Sequence, residues 1–331
     1  MNPCPRKLAG IFFGILADEG LISLCIMSFM TIAWLQRCIV LGGLVFSWAL
    51  AAWLWNNLRS WAVMSLLMPV LVAPMILGIQ CVWAALLNRQ ETAVRPASLG
   101  QWLGAWLSEW HVATRVFIGW QPFRHRAVAD NLVATPNQRG MVLVHGFCCN
   151  RALWTDWMKQ LQAKKRVFVA VDLEPAFGSI SDYADTVEAA IAQVEQATGL
   201  PPIVVGHSMG GLAIRAWAAK YAREPHQMQR IKRIFTIGTP HHGTAIAAAS
   251  YTTNGGEMRQ SSAWLAGNAS CLPNDFATYC TCYFSHCDNI VFPASAATLE
   301  GADNQHIAGH AHVQLLFSKD IQQACLSQLE N

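Results

Sequence analysis
The chain has 331 residues, of which 53% are hydrophobic and only 13% charged, and its formal net charge is +3. So weak a charge, with no basic run, excludes a surface built to bind nucleic acid through phosphates. The length allows one α/β domain of roughly two hundred residues and leaves a further hydrophobic region over.

That region comes first. The first hundred residues carry nine charged side chains, and Cys38 to Trp55 and Trp61 to Leu87 carry none. Each run is long enough to cross roughly 30 Å of hydrocarbon at about 1.5 Å per residue. The short polar stretch Asn56-Asn57-Leu58-Arg59-Ser60 between them suits a hairpin of two spans. Leu8 to Leu35 is a third candidate, interrupted by Asp18 and Glu19. Two carboxylates at mid-membrane would cost roughly 2.5–3.5 kcal/mol each. A span shifted to Leu21–Val40 places them at an interface and leaves Arg37 to snorkel. Arg6 and Lys7 ahead of an apolar run also fit a cleavable signal peptide, which does not absorb the later spans. Pro69 and Pro74 are tolerable within a membrane helix whose neighbours satisfy the freed carbonyls. Ten of the fourteen Trp precede residue 121, and Trp53, Trp55 and Trp61 flank the proposed turn as an interfacial belt does.

Residues 1–95 are therefore expected to form a transmembrane helical region of two to three spans with the lipid bilayer as partner. A large buried helical domain is the alternative. Charge counting leaves sidedness open, since Arg6, Lys7 and Arg59 balance Arg37, Arg89 and Arg95. Residues 96–135 form an amphipathic connecting segment. Within it, Trp102, Trp106, Trp110, Leu103 and Leu107 are spaced for one face of a helix over Gln101–Trp120, at an interface or against a domain.

From Pro136 to the C-terminus, short β-prone runs alternate with helical periodicity. Arg166–Leu173 is a strand candidate, and Ser181–Thr198 a helix with the stripe Ala184, Val187, Ile191 and Val194 and a cap at Gly199. Such alternation implies an α/β domain over 136–331 with a mostly parallel sheet covered by helices.

Gly206-His207-Ser208-Met209-Gly210 follows the apolar run Ile203-Val204-Val205 and precedes a helix-compatible segment from Gly211 to Ala222. That context makes it a nucleophile elbow, a tight strand-to-helix turn that lifts a serine clear of the sheet. A serine hydroxyl is a poor nucleophile at neutral pH, so it needs an imidazole to take its proton and a carboxylate to hold that imidazole in the right tautomer. Tyr279–Phe284 has strand character and leads to Asp288, the candidate acid, with Asp275 and Asp303 also between serine and histidine. Asn304–Ile307 suits a last short strand before Gly309-His310-Ala311-His312 and the apolar helix start at Val313. Either His312 or His310 can serve as base. The order Ser, Asp, His is the one this architecture uses. The strand Gly140–Val144 ends in His145-Gly146-Phe147, so the N–H groups of Phe147 and Met209 are the candidate oxyanion hole.

These blocks resemble the α/β-hydrolase superfamily, in particular bacterial triacylglycerol lipases and esterases. The resemblance rests on His145-Gly146-Phe147, on Gly206 to Gly211, on Thr239-Pro240-His241-His242-Gly243-Thr244, on Asp288-Asn289-Ile290-Val291-Phe292-Pro293 and on His312-Val313-Gln314-Leu315-Leu316. Glu174 to Ile180 and Ser262 to Leu265 are similar to a subgroup of proteobacterial hydrolases with a hydrophobic N-terminal region. The resemblance implies hydrolysis of carboxylic esters, acyl lipids among them, through an acyl-enzyme on Ser208 at a bacterial inner membrane, with no cofactor and no metal. It favours His312, since the family's histidine precedes an aliphatic residue and a leucine-rich helix start. It also implies that the loop after Ile231–Ile237 shapes the acyl pocket. Gly243 to Pro273 is the place for a lid. Acyl transfer by the same triad, or a non-catalytic membrane scaffold, are the rival readings. Cys271, Cys280, Cys282 and Cys287 cluster around the acid strand without zinc spacing, and both disulfide and thiol states are open.

Overall fold
The computed structural model describes residues 31–330 except 57, 92, 93 and 225. The signal-peptide and third-span expectations, with Arg6, Lys7, Asp18 and Glu19, lie outside the described residues.

Two long apolar helices open the described chain: α1 (Ile32–Leu54) and α2 (Arg59–Asn88). Both are long and apolar enough to cross a membrane, and both are mostly exposed. Residues 32–35, expected to end a preceding span, instead begin α1, because Thr31 is extended (ψ 149°) and starts the helix there. Pro69 and Pro74 lie inside α2. Next comes α3 (Leu99–Ala113), begun by a capping box in which Ser98 and Gln101 satisfy each other's backbone N–H groups, and continued as π-helix over Thr114–Trp120. The indole Nε1–H of Trp106 on α3 donates to the carbonyl of Pro74 at 2.8 Å, fixing α3 against α2.

The remainder is a six-stranded parallel sheet. Its strands are β1 (Met141–Val144), β2 (Phe168–Ala170), β3 (Ile203–His207), β4 (Arg233–Ile237), β5 (Cys280–Phe284) and β6 (Asp303–His306), in the order β2-β1-β3-β4-β5-β6. Helices α4 (Thr155–Ala163), α5 (Ala184–Thr198) and α6 (Met209–Tyr221) cover it, with α9 (Lys319–Ser327) at the C-terminus. Between β4 and β5 lie α7 (Thr253–Glu257) and α8 (Ala263–Ser270).

Burial on both faces explains why β1, β2 and β3 read as continuous apolar runs, whereas the edge strand β6 is polar and exposed. Val142, Val204 and Ile234 pack with Val187, Ile191 and Val194 of α5 on one face. Met141, Leu143, Val205 and Phe235 pack with Trp157, Met158 and Leu161 of α4 on the other. The sheet order reverses between β1 and β3, so a crevice opens beyond their C-terminal ends, where open α/β sheets place their ligands.

Candidate active site
Ser208 stands between β3 and α6 with φ +55° and ψ −129°, a strained turn for a residue with a Cβ. The turn closes only with glycine beside it. A Cβ on Gly210 would meet the carbonyl oxygen of Val144, and one on Gly146 would lie 2.7 Å from the Ser208 Cβ. The loop after β1 thus passes directly over the serine. Phe147 sits in that loop, its ring edge-on to Phe177 at 5.9 Å. Met209 is the first residue of α6, where the helix leaves its N–H groups without intrahelical acceptors.

His312 Nδ1 and Asp288 Oδ2 are 2.8 Å apart and both side chains are buried. The other Asp288 oxygen accepts the N–H groups of Ile290 (2.8 Å) and Val291 (2.7 Å), which fixes the carboxylate. Burial pulls the His312 imidazole down, but Asp288 beside it, with Glu109 farther off, holds it above its ordinary range. His310 turns away and bonds the carbonyl of Ala308. Asp303 lies on the exposed edge strand β6, against Thr281, and Asp275 in the turn before Phe276. Neither meets the histidine.

Ser208, His312, Gly146 and Phe147 line one cavity of about 390 Å³. Its other wall comes from α2, α3 and the π-helical stretch, through Ala73, Ile76, Leu77, Trp110 and Phe117. Neither the expected lid nor the Thr239–Gly243 loop lines it. Glu257 of α7 instead accepts from Ser179 Oγ and Ile180 N, both at 2.7 Å. His241 is buried against Thr236 (3.0 Å), and the Thr239 side chain fills the space beside Gly211. His207 packs its ring 4.6 Å from that of His312, and burial, then His312, keep it well below its ordinary pKa and hence neutral.

Two residues of the site escaped sequence reasoning. Glu109, on the most buried face of α3, accepts the N–H groups of Val313 (2.9 Å) and Gln314 (2.8 Å). Gln80 of α2 accepts from Asn289 Nδ2 at 2.8 Å, and Asn289 Oδ1 in turn accepts the His312 N–H at 3.2 Å. The α3 face differs from the expected one for the same reason: Ala105, Glu109 and Val112 are buried, whereas Leu103 and Leu107 are exposed. The helix expected at Val313 is a single 3₁₀ turn, Gln314–Phe317.

An elbow serine after β3, with an acid after β5 and a histidine after β6, decides the architecture. The chain has the α/β-hydrolase fold. A family model described as the alpha/beta hydrolase fold matches residues 141–252. The mature lipase BlEst2 of Bacillus licheniformis is similar in structure, with a TM-score of 0.51 and 17% identity over 60% of this chain and 95% of the lipase. Lipase B of Aspergillus fumigatus matches with a TM-score of 0.50 and 17% identity over 59% of this chain, which spans about half (53%) of that one. At such identity the likeness speaks for the hydrolase fold alone. No curated protein sequence matches. Among the described residues no cluster of His, Cys, Asp or Glu suits a metal ion, and no disulfide forms. Cys280 and Cys282 are buried thiols in the core beside the sheet, and Cys287 is a buried thiol packed with Ala105 of α3 and Ala311.

Proposed function
We propose that this protein is a membrane-held serine hydrolase of carboxylic esters, with acyl lipids as its substrate class. The observation that carries this reading is the buried Asp288–His312 pair opening into the same apolar cavity as the strained Ser208. Ser208 Oγ attacks the ester carbonyl while His312 Nε2 takes its proton. Asp288 keeps the imidazole in the tautomer with hydrogen on Nδ1 and stabilises the imidazolium as it forms. The N–H groups of Phe147 and Met209 bind the oxyanion. Collapse of the tetrahedral intermediate breaks the ester bond, and His312 returns the proton to the leaving alcohol. The acyl-enzyme then reacts with water by the same steps in reverse roles, freeing the acid and Ser208.

α1 and α2 serve as the membrane hairpin in this reading, with residues 96–135 connecting it to the catalytic domain. The hairpin's open end is tied to that domain: Gln36 on α1 donates to the carbonyl of Cys148 (3.0 Å), and Asn88 on α2 donates to that of His286 (3.0 Å). A fluorophosphonate probe tests the reading. It is expected to label wild-type protein at Ser208 and to leave Ser208→Ala unlabelled. Absence of wild-type labelling would favour a non-catalytic scaffold.

A further inference from the structure
The residues of α2 that reach the cavity are Ala73, Ile76, Leu77 and Gln80. Their spacing is one stripe of an α-helix. The opposite stripe, Met75, Ile79, Val82 and Leu86, faces outward, and Ile79 and Val82 are more than half exposed. One apolar helix therefore presents one face to the surroundings and another to the serine.

The cavity's polar side chains are largely committed already. Gln80 and Asn289 bond each other, and the Glu109 carboxylate takes two backbone N–H groups. What remains for a ligand beyond Ser208 and His312 is chiefly hydrocarbon. The volume is at the small end of ligand sites, which run from about 300 to 1,000 Å³. It suits one chain better than two.

Ile76 (47% exposed), Ile118 (40% exposed) and Thr114 are the exposed residues of the cavity lining, so its opening is mostly apolar. Leu99, Leu103 and Leu107 are exposed on α3, the helix that packs on α2 through Trp106. Exposed apolar surface on this scale marks contact with a membrane or a partner.

We infer that this cavity is an acyl-chain site whose wall is the membrane helix α2 itself, so that a single fatty-acyl chain passes from the lipid side along Ala73, Ile76 and Leu77 to Ser208. The inference rests on the serine-hydrolase reading and adds the chain's position and route. α2 is then part of the enzyme's specificity as well as its anchor, a role a lid would otherwise fill.

The test uses the full chain in lipid nanodiscs with 4-nitrophenyl butyrate and palmitate. Ala73→Trp narrows the cavity and is expected to lower the palmitate-to-butyrate ratio of kcat/KM by about tenfold or more, the scale on which apolar pockets discriminate. Ala113→Trp, at the α3 end of the same cavity, does the same should Ala73→Trp not fold. Ile79→Trp, on the outward stripe, leaves the ratio in place. An unchanged ratio in folded Ala73→Trp or Ala113→Trp, with Ser208 still labelled by fluorophosphonate, overturns the inference and spares the serine reading. A second measurement is independent of that reading. In Ser208→Ala protein, palmitate carrying a diazirine is expected to crosslink to Trp110 and Phe117 in the cavity, and adducts confined to the outward stripe of α2 overturn the inference.

Discussion

Glu109 of α3 accepts the backbone N–H of Val313 at 2.9 Å, and so holds the residue that follows His312. Its second oxygen does the same for Gln314 at 2.8 Å. Removing the carboxyl leaves two inward N–H groups without acceptors, each costing about 1–3 kcal/mol. Glu109→Ala is therefore expected to lower the melting temperature and turnover together. Glu109→Gln keeps one acceptor oxygen and loses less of both. Equal thermal stability of Glu109→Ala and wild type would show that these bonds do not hold the His312 loop.

A pH profile separates the charge of Glu109 from its bonding. His312 must be neutral to act as base, and Asp288 and Glu109 outweigh its burial to hold its pKa above 6.5. Activity is expected to rise with pH with a midpoint above that value. Glu109→Gln removes one of the anions and moves the midpoint down. Glu109 itself is pushed up from 4.5 to about 7, by burial first, against the pull of its N–H partners and His312. The folded state thus binds a proton that the unfolded state has released between those values. Stability falls as pH rises from 4.5 through about 7 and levels off above it. Urea unfolding across this range checks the sign, and Glu109→Gln should flatten the dependence.

The hydrolase-fold half was legible because its inner strands are apolar on both faces and its serine sits in a turn that few other residues tolerate. Ile203–Val205 needed only its hydrophobicity, and Ser208 only its glycines. The pairing of Asp288 with His312 was less determined, since Asp303, Asp275 and His310 share the interval. Geometry separates them through one hydrogen bond. Glu109 was illegible for a physical reason: a carboxylate amid tryptophans reads as the solvent face, and only the N–H groups of Val313 and Gln314, 204 and 205 residues later, make its burial tolerable. The part played by Ala73 and Gln80 was hidden differently. A helix apolar all round carries no period to say which face meets a neighbour.

Mutation of the proposed nucleophile and base gives a ranked expectation. Ser208→Ala should lose about 10⁴ to 10⁶ in turnover while keeping the fold. His312→Ala should lose nearly as much, because nucleophile and base act as a unit. His310→Ala should be milder, since its ring bonds only the carbonyl of Ala308. Turnover measured on the three purified proteins decides it, and a greater loss at His310 would move the base there.

The hairpin gives the last expectation. α1 has 23 residues and α2 has 30, or about 35 and 45 Å at 1.5 Å per residue, enough to cross roughly 30 Å of hydrocarbon. Trp53, Trp55 and Trp61 are exposed at the turn, where an aromatic belt would sit at an interface. Gln36 and Asn88 dock the other end onto the catalytic domain. Ile39, Val45, Trp48, Val63 and Val70 lie exposed along the two helices between these ends, and water would solvate such a surface poorly. The protein is expected to stay with membranes through a carbonate wash and to leave them only in detergent. Charges introduced at Val45 and Val63, neither of which lines the cavity, should weaken that retention without touching the Asp288–His312 pair. Release of the intact wild-type chain by carbonate would leave the hairpin as a surface-docked element and remove the bilayer from the proposed route of the acyl chain.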